Sequence, residues 1–298
     1  MVSKGMENVI KLVRQQIASM PEITVKNIRD GLDLMAKMAK IPKVVKCEPV
    51  DAGGVPAEWI STPGVVNHQV VLYLHGGGFI AGSIATHRDL TQRISRVSKA
   101  RILLIDYRLA PEHPYPAAFE DVLTAYRWLI DIEKITPNNL IIAGDSAGGG
   151  LTVGGLIRIR DKGIALPAAA VCLSPGLDPT LSGESFKTKV DVDPFITPEI
   201  AKFMIEKFFG DIDIETPLTS VLLADLSGLP PMLIQVGTSE LLLDDSIRFA
   251  ERAKAAGVDV TLDVWEDMIH VFQAFAGFAP ESREAIDKIG EFIQKFFN

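Results

Sequence analysis

The chain has 298 residues, 47% hydrophobic and 23% charged, enough apolar material for one large core without division into separate domains. A net charge of -8 speaks against nucleic acid or an anionic membrane surface as the main partner, because both demand a basic face. Cys47 and Cys172 have no C-x-x-C or Cys/His ligand spacing, which implies two reduced thiols and neither a metal site nor a disulfide framework.

The opening Met1-Val2-Ser3-Lys4-Gly5-Met6-Glu7-Asn8 lacks the apolar core of a secretory signal, and no run reaches the ~18 apolar residues of a membrane helix. A soluble cytoplasmic protein is expected. Val9, Leu12, Val13, Ile17 and Met20 then share one helical face ended by Pro21, and Ile28, Leu32, Met35 and Ala39 share a second ended by Pro42. Residues 44–50 and 55–61, separated by Asp51-Ala52-Gly53-Gly54, read as a hairpin. Further strands are predicted near 69–74, 101–107, 140–143, 168–174, 231–237 and 260–266, alternating with helices near 87–98, 117–130, 147–160, 244–256 and 281–297. Such alternation predicts an α/β fold, a mostly parallel eight-stranded sheet covered by helices on both faces, with the hairpin at one edge.

One interval, 178–217, breaks the rhythm, with Pro179, Pro194 and Pro198 around a helix-like run at 198–209. A connection of that length is usually functional. With residues 1–42 it is expected to form a helical cap over the C-terminal edge of the sheet, where open α/β sheets bind ligands. The core is then 43–177 and 218–298, and the cap is the helices of 1–42 plus the insertion 178–217. Phe195, Phe203, Met204, Phe208 and Phe209 are read as packing this insertion on the body, with a substrate-facing role as the alternative. Lys187, Lys189, Asp191, Asp193, Glu199, Lys202, Glu206 and Lys207 interleave with them and leave little room for one broad apolar lid face.

Two motifs carry chemistry. Gly144-Asp145-Ser146-Ala147-Gly148 lies between a strand-like run and a small-residue helical run, matching the G-x-S-x-G nucleophile elbow. A serine hydroxyl is a weak nucleophile unless a strained turn lifts it off the sheet toward a base, and the following helix aims free N–H groups at a developing oxyanion. Upstream, His75-Gly76-Gly77-Gly78 follows the strand-like Val70-Val71-Leu72-Tyr73-Leu74, where consecutive glycines let backbone N–H groups approach a ligand.

Together with Asp106-Tyr107-Arg108-Leu109-Ala110-Pro111-Glu112-His113-Pro114, these motifs resemble the hormone-sensitive lipase branch of the α/β-hydrolases from the HGGG loop to the chain end. The resemblance implies a carboxylic ester hydrolase with Ser146 as nucleophile and an oxyanion hole of the Gly77, Gly78 and Ala147 N–H groups. In this fold the order is serine, acid, histidine. His68, His75, His87 and His113 precede Ser146, so His270 is the expected base. Val271 stands where the family commonly has glycine. The family's Asp-Pro-Leu run is absent; aligning the end of the strand 231–237 puts Glu240 in the acid's place, with Asp244 as the alternative. Asp244 and Asp245 also suit the first turn of the helix that follows. Glu112, His113 and the nearby prolines are read as a rigid turn, with His113 hydrogen-bonded within it.

The expected function is hydrolysis of short- to medium-chain carboxylic esters through a Ser-Glu-His triad and an acyl-enzyme, without cofactor or metal. The expected partner is a small-molecule ester, with no nucleic acid or membrane, and a homodimer is left open. The alternatives are a lactonase, deacetylase or acyltransferase on the same triad, or a non-catalytic receptor on the same fold, which an intact His270 argues against.

Overall fold

A computed structural model describes residues 2–297. Two helices come first, α1 (Lys4–Ala18) and α2 (Val25–Ala36). Ser3 and Thr24 cap them by accepting the N–H groups of Met6 and Asn27 at 3.2 and 3.1 Å. Both helices begin ahead of their apolar stripes, because the capping hydroxyl and not the first apolar residue sets the start. The chain then runs β1 (Lys46–Asp51), β2 (Pro56–Ser61), β3 (Val66–Leu74), α3 (Ile84–Ser98), β4 (Ala100–Ile105), α4 (Ala117–Asp131), β5 (Leu140–Asp145), α5 (Ala147–Asp161), β6 (Ala169–Leu173), α6 (Ser185–Thr188), α7 (Pro198–Phe209), β7 (Met232–Gly237), α8 (Leu243–Ala255), β8 (Val260–Trp265) and α9 (Pro280–Phe296). Helix α3 starts before the predicted 87 because Ser83 and Thr86 close a capping box.

Among the described residues the strands form one eight-stranded sheet in the order β1-β2-β4-β3-β5-β6-β7-β8. β2 is antiparallel to both neighbours, and every pairing from β4 to β8 is parallel. This is the predicted architecture, with the hairpin at one edge. Strand alternation sorts the core into two layers: Leu72, Leu103 and Ile142 pack with α4, α5 and α8, while Val71, Leu104 and Ile141 pack with α3 and α9. All six are fully buried, and each such side chain contributes ~1.5–3 kcal/mol relative to exposure.

The N-terminal helices are tied to the body from two directions. Met6, Val9 and Val13 of α1 pack on Met268, Ile269 and Phe272 in the loop after β8. Arg29 of α2 donates to both carboxylate oxygens of Glu112 at 2.8 and 2.7 Å and to the Ile80 carbonyl at 2.7 Å. The turn around Glu112 is held by backbone, the His113 N–H donating to the Leu109 carbonyl at 2.8 Å, while the His113 ring is exposed. No described helix is long and apolar enough to cross a membrane.

Helices α3 and α9 approach so closely that a Cβ on Gly290 would lie 2.7 Å from Cβ and Cγ2 of Val97. Helix propensity alone would favour Gly290→Ala by ~1 kcal/mol, whereas overpacking costs ~1–3 kcal/mol. Gly290→Ala should therefore lower the urea midpoint at unchanged m-value; a raised midpoint would show that α9 can move away from Val97.

Candidate active site

Ser146 is the single residue between the end of β5 and the start of α5, with φ 53° and ψ -120°. A non-glycine residue adopts positive φ only when its surroundings hold it there. Here the Ser146 N–H donates to the Leu173 carbonyl at 2.8 Å, and the Ser146 carbonyl accepts the N–H groups of Gly149 and Gly176, both at 3.0 Å. A Cβ on Gly144 would strike the Gly148 carbonyl, and one on Gly148 would strike the Leu74 carbonyl. The two glycines of the motif are thus required by close backbone packing, and Ser146 is turned into a cavity also lined by Gly77, Gly78 and His270.

The glycine loop leaves β3 beside this turn. Gly77 and Gly78 have φ of 123° and 62°, and a Cβ would meet the Ala81 carbonyl at the first and the Met204 side chain at the second. The Gly76 N–H, by contrast, donates to Asp145 Oδ1 at 3.2 Å. Asp145, the variable position of the pentapeptide, was not singled out by the sequence. Its carboxylate accepts the Tyr73 hydroxyl at 2.9 Å and lies 3.3 Å from His87 Nε2. Burial works against its charge, but His87 and the Tyr73 hydrogen bond prevail and hold its pKa below the usual range. His75 begins the loop as a neutral ring: burial first, then His87, lowers its pKa to about 3. It stacks on Tyr107 at 4.2 Å, and its Nδ1 is 2.9 Å from the Gly76 carbonyl. At 3.8 Å from Asp106, a neutral imidazole makes no ion pair.

His270 lies in the loop after β8 with Nδ1 2.8 Å from Glu240 Oε2, both residues buried. The other oxygen of Glu240 accepts the Gly237 N–H at 2.6 Å and the Ser174 hydroxyl at 2.9 Å. Ser174 Oγ in turn accepts the Val271 N–H at 3.1 Å. Val271 has φ 48° and ψ 42°, the left-handed region that glycine enters freely, which gives a physical reason for the family's glycine there. Burial opposes the charged form of His270, but the hydrogen bond and charge of Glu240, with the charges of Asp193 and Asp145, raise its pKa overall.

Of the two acid candidates, the structure brings only Glu240 to His270. Asp244 Oδ2 instead accepts the Ser185 N–H at 2.8 Å, and Ser185 Oγ accepts the Asp244 N–H at 3.2 Å. Asp245 is fully buried, with Oδ2 accepting the N–H groups of Leu177 and Asp178 at 2.8 and 2.9 Å. Asp193, one of the charged residues interleaved through 178–217, is not at the surface. It is buried and accepts the N–H groups of Leu241 and Phe195 at 2.8 Å and of Ile196 at 3.0 Å. A carboxylate followed by Pro194 in a turn is the one signal that marked it as a backbone acceptor. Glu199, Lys202, Glu206 and Lys207 are exposed, while Phe208 and Phe209 are buried and Phe195 and Met204 line the cavity. Among the described residues no group of three His, Cys, Asp or Glu side chains is placed to hold a metal ion.

A model of the α/β-hydrolase fold family matches residues 71–274. An acetyl-hydrolase from Streptomyces hygroscopicus is 40% identical over 245 residues, 82% of this chain and 81% of that protein. An esterase from Acinetobacter venetianus is 35% identical over 266 residues, 89% of this chain and 87% of its own. A crystal structure of an esterase from the bacterial hormone-sensitive lipase family superposes with a TM-score of 0.96 at 45% identity and covers 99% of both chains. A structure of EstE5 soaked with p-nitrophenyl butyrate does so with a TM-score of 0.94 at 43% identity, again over 99% of both chains.

The Asp245 carboxyl beside the site has a consequence for stability. Burial pushes its pKa up from 3.8 to about 7, so between those values the folded chain binds a proton that the unfolded chain releases. Its contribution is complete below about 3.8 and lost as pH rises through about 7. The melting temperature of Asp245→Asn minus that of the wild type should therefore increase from pH 4 to pH 7 and level off above; a difference independent of pH would contradict the assignment.

Proposed function

Because the chain belongs to the α/β-hydrolase family, in its hormone-sensitive lipase-like branch, we propose that it is a serine carboxylesterase acting on short- to medium-chain esters through an acyl-enzyme. The observation that carries this reading is the site itself: Ser146 strained into a cavity that His270 shares, with His270 hydrogen-bonded at 2.8 Å to the buried Glu240. With Nδ1–H donated to Glu240, Nε2 is left as the base. It takes the Ser146 proton as Oγ attacks the ester carbonyl, and the N–H groups of Gly77, Gly78 and Ala147 hold the tetrahedral oxyanion. His270 then protonates the leaving alcohol, and water activated by the same imidazole releases the acid. In this reading residues 1–42 and 178–217 are the cap over the site, and the protein works in solution in the cytoplasm. No step calls on a cofactor.

Ser146→Ala should abolish turnover of p-nitrophenyl butyrate in a folded protein, a loss on the order of 10⁶ in kcat where such triads have been dissected. Near wild-type hydrolysis by that variant would reject the assignment. Glu240→Ala should cost on the order of 10⁴ in kcat and Asp244→Ala far less; the reverse ranking would make Asp244 the acid. Only neutral imidazole acts as base, so kcat/KM should fall as pH drops through the His270 titration. Because Glu240 and its companion carboxylates raise that pKa despite burial, the acid limb should lie above the ~6.5 of a free imidazole.

The exposed charges of α7 leave no broad apolar lid of the kind an interfacial lipase presents. Rates on p-nitrophenyl esters should peak at short or medium acyl chains, with no jump as substrate passes its solubility limit. A maximum at long chains with a sharp rise on emulsified triglyceride would make the protein a lipase.

A further inference from the structure

Two cavities of very different size meet at Ser146. Gly78, Ser146, Ile196 and Met204 line both. The larger, about 800 Å³, extends along the apolar sides of α1 and α2, where Val13, Ile17, Leu32 and Met35 face Phe275. The smaller, about 90 Å³, is lined by Phe119, Leu177, Phe186, Phe209 and Leu242. His270 lines only the larger cavity, and Ala147 only the smaller.

That difference assigns the two arms of an ester, on the esterase reading given above. In acylation the Oγ–C bond forms and the C–O bond to the alcohol breaks. The proton taken from Ser146 passes through His270 to the departing alkoxide oxygen. A group that delivers a proton must stand within ~2.6–3.2 Å of the atom that receives it, so the alcohol oxygen lies on the His270 side and its carbon skeleton continues into the cavity there. The acyl carbon stays bonded to Ser146, and its chain takes the other cavity, next to Ala147.

We propose that the large cavity is the alcohol pocket and the small one the acyl pocket, so that the favoured substrates are esters of short acids with bulky, mostly apolar alcohols. At ~30 Å³ for each water-sized group, the small cavity of about 90 Å³ takes an acyl chain of about two to four carbons. Its walls are not free to retreat: Phe209 is buried and stacks edge-on against Phe208 at 4.8 Å, and Phe208 lies flat on Phe79 at 4.0 Å. The large cavity is within the size range that encloses a drug-sized molecule.

The test uses the full chain and four esters of primary alcohols: the acetates and octanoates of ethanol and of 2-(1-naphthyl)ethanol. The naphthylethyl acetate should have the highest kcat/KM, about tenfold or more above ethyl acetate, and octanoate should lower kcat/KM about tenfold for both alcohols. Leu32→Trp, filling the large cavity, should reduce the naphthylethyl-to-ethyl ratio among acetates. Phe209→Ala, or Phe186→Ala where the first does not fold, should raise the octanoate-to-acetate ratio. Ethyl octanoate as the best substrate, or ratios unmoved by these variants, would overturn the pocket assignment and leave the esterase standing. Hydrolysis of none of the four would sink the esterase reading and this one with it.

Discussion

The arrangement of the site depends on a contact between backbones: the turn from β5 into α5 presses on the end of β3, at a point where any Cβ on Gly148 would strike the Leu74 carbonyl. Adjacent parallel strands bring the two chain ends together, since Leu74 is the register partner of Gly144. Two residues beyond each stand Gly76, in the glycine loop after β3, and Ser146, after β5. Asp145 then locks the two at fixed separation, because one carboxylate holds the Gly76 N–H of the loop while sitting next to Ser146 in the turn. The glycine loop and the Ser146 turn are thereby held side by side before any substrate arrives, the kind of preorganisation that the proposed oxyanion hole requires.

The histidine side of the site is governed by competition between burial and charge. An imidazole whose burial is not offset becomes hard to protonate, as His75 illustrates: burial, and then the neighbouring His87, lower its pKa to about 3. His270 is equally enclosed, yet Glu240, Asp193 and Asp145 reverse the outcome and raise its pKa. Two buried histidines in one protein therefore end on opposite sides of the ordinary value, the difference being the hydrogen bond and charge of Glu240 at His270 and the His87 ring beside His75. The same carboxylates are affordable in the interior because each is saturated by donors, Glu240 by Gly237, Ser174 and His270, and Asp193 by three backbone N–H groups.

Much of this was legible in the residues themselves. The alternation of apolar runs predicts the order and kind of the strands, because the sheet is buried on both faces and its strands are nearly continuous in Val, Ile, Leu and Ala. The two glycine motifs are legible for a stronger reason: a Cβ at 77, 144 or 148 would strike backbone carbonyls, and Gly78 sits at φ 62°, so the constraint leaves its mark on the sequence. What escaped detection acts through long-range contact. Asp145 and Asp193 look like ordinary acids until β3 and the loop around Leu241 are brought to them. The short α6 has no periodicity to announce it and depends on Asp244, 59 positions from Ser185. The start of α3 falls three residues ahead of the predicted 87 because its hydroxyl cap, Ser83, lies ahead of the apolar stripe.

Backbone strain marks both halves of the constellation. Ser146 and Val271 each occupy positive φ, at 53° and 48°, conformations that cost ~1–3 kcal/mol each for residues with a Cβ. For Ser146 the turn exposes the hydroxyl, and three hydrogen bonds with Leu173, Gly149 and Gly176 offset the strain. Val271 is more costly as a β-branched residue, and its N–H is held by Ser174, whose own hydroxyl is donated to Glu240. The carboxylate that orients the His270 ring is thus also the anchor, through Ser174, of the strained residue beside that ring. Strain at Val271 and orientation of His270 are coupled through one buried oxygen, Oε1 of Glu240. A change that loosens Ser174 therefore acts on the imidazole without touching it, because it removes one of the hydrogen bonds that fix the carboxylate and frees the backbone at Val271 together.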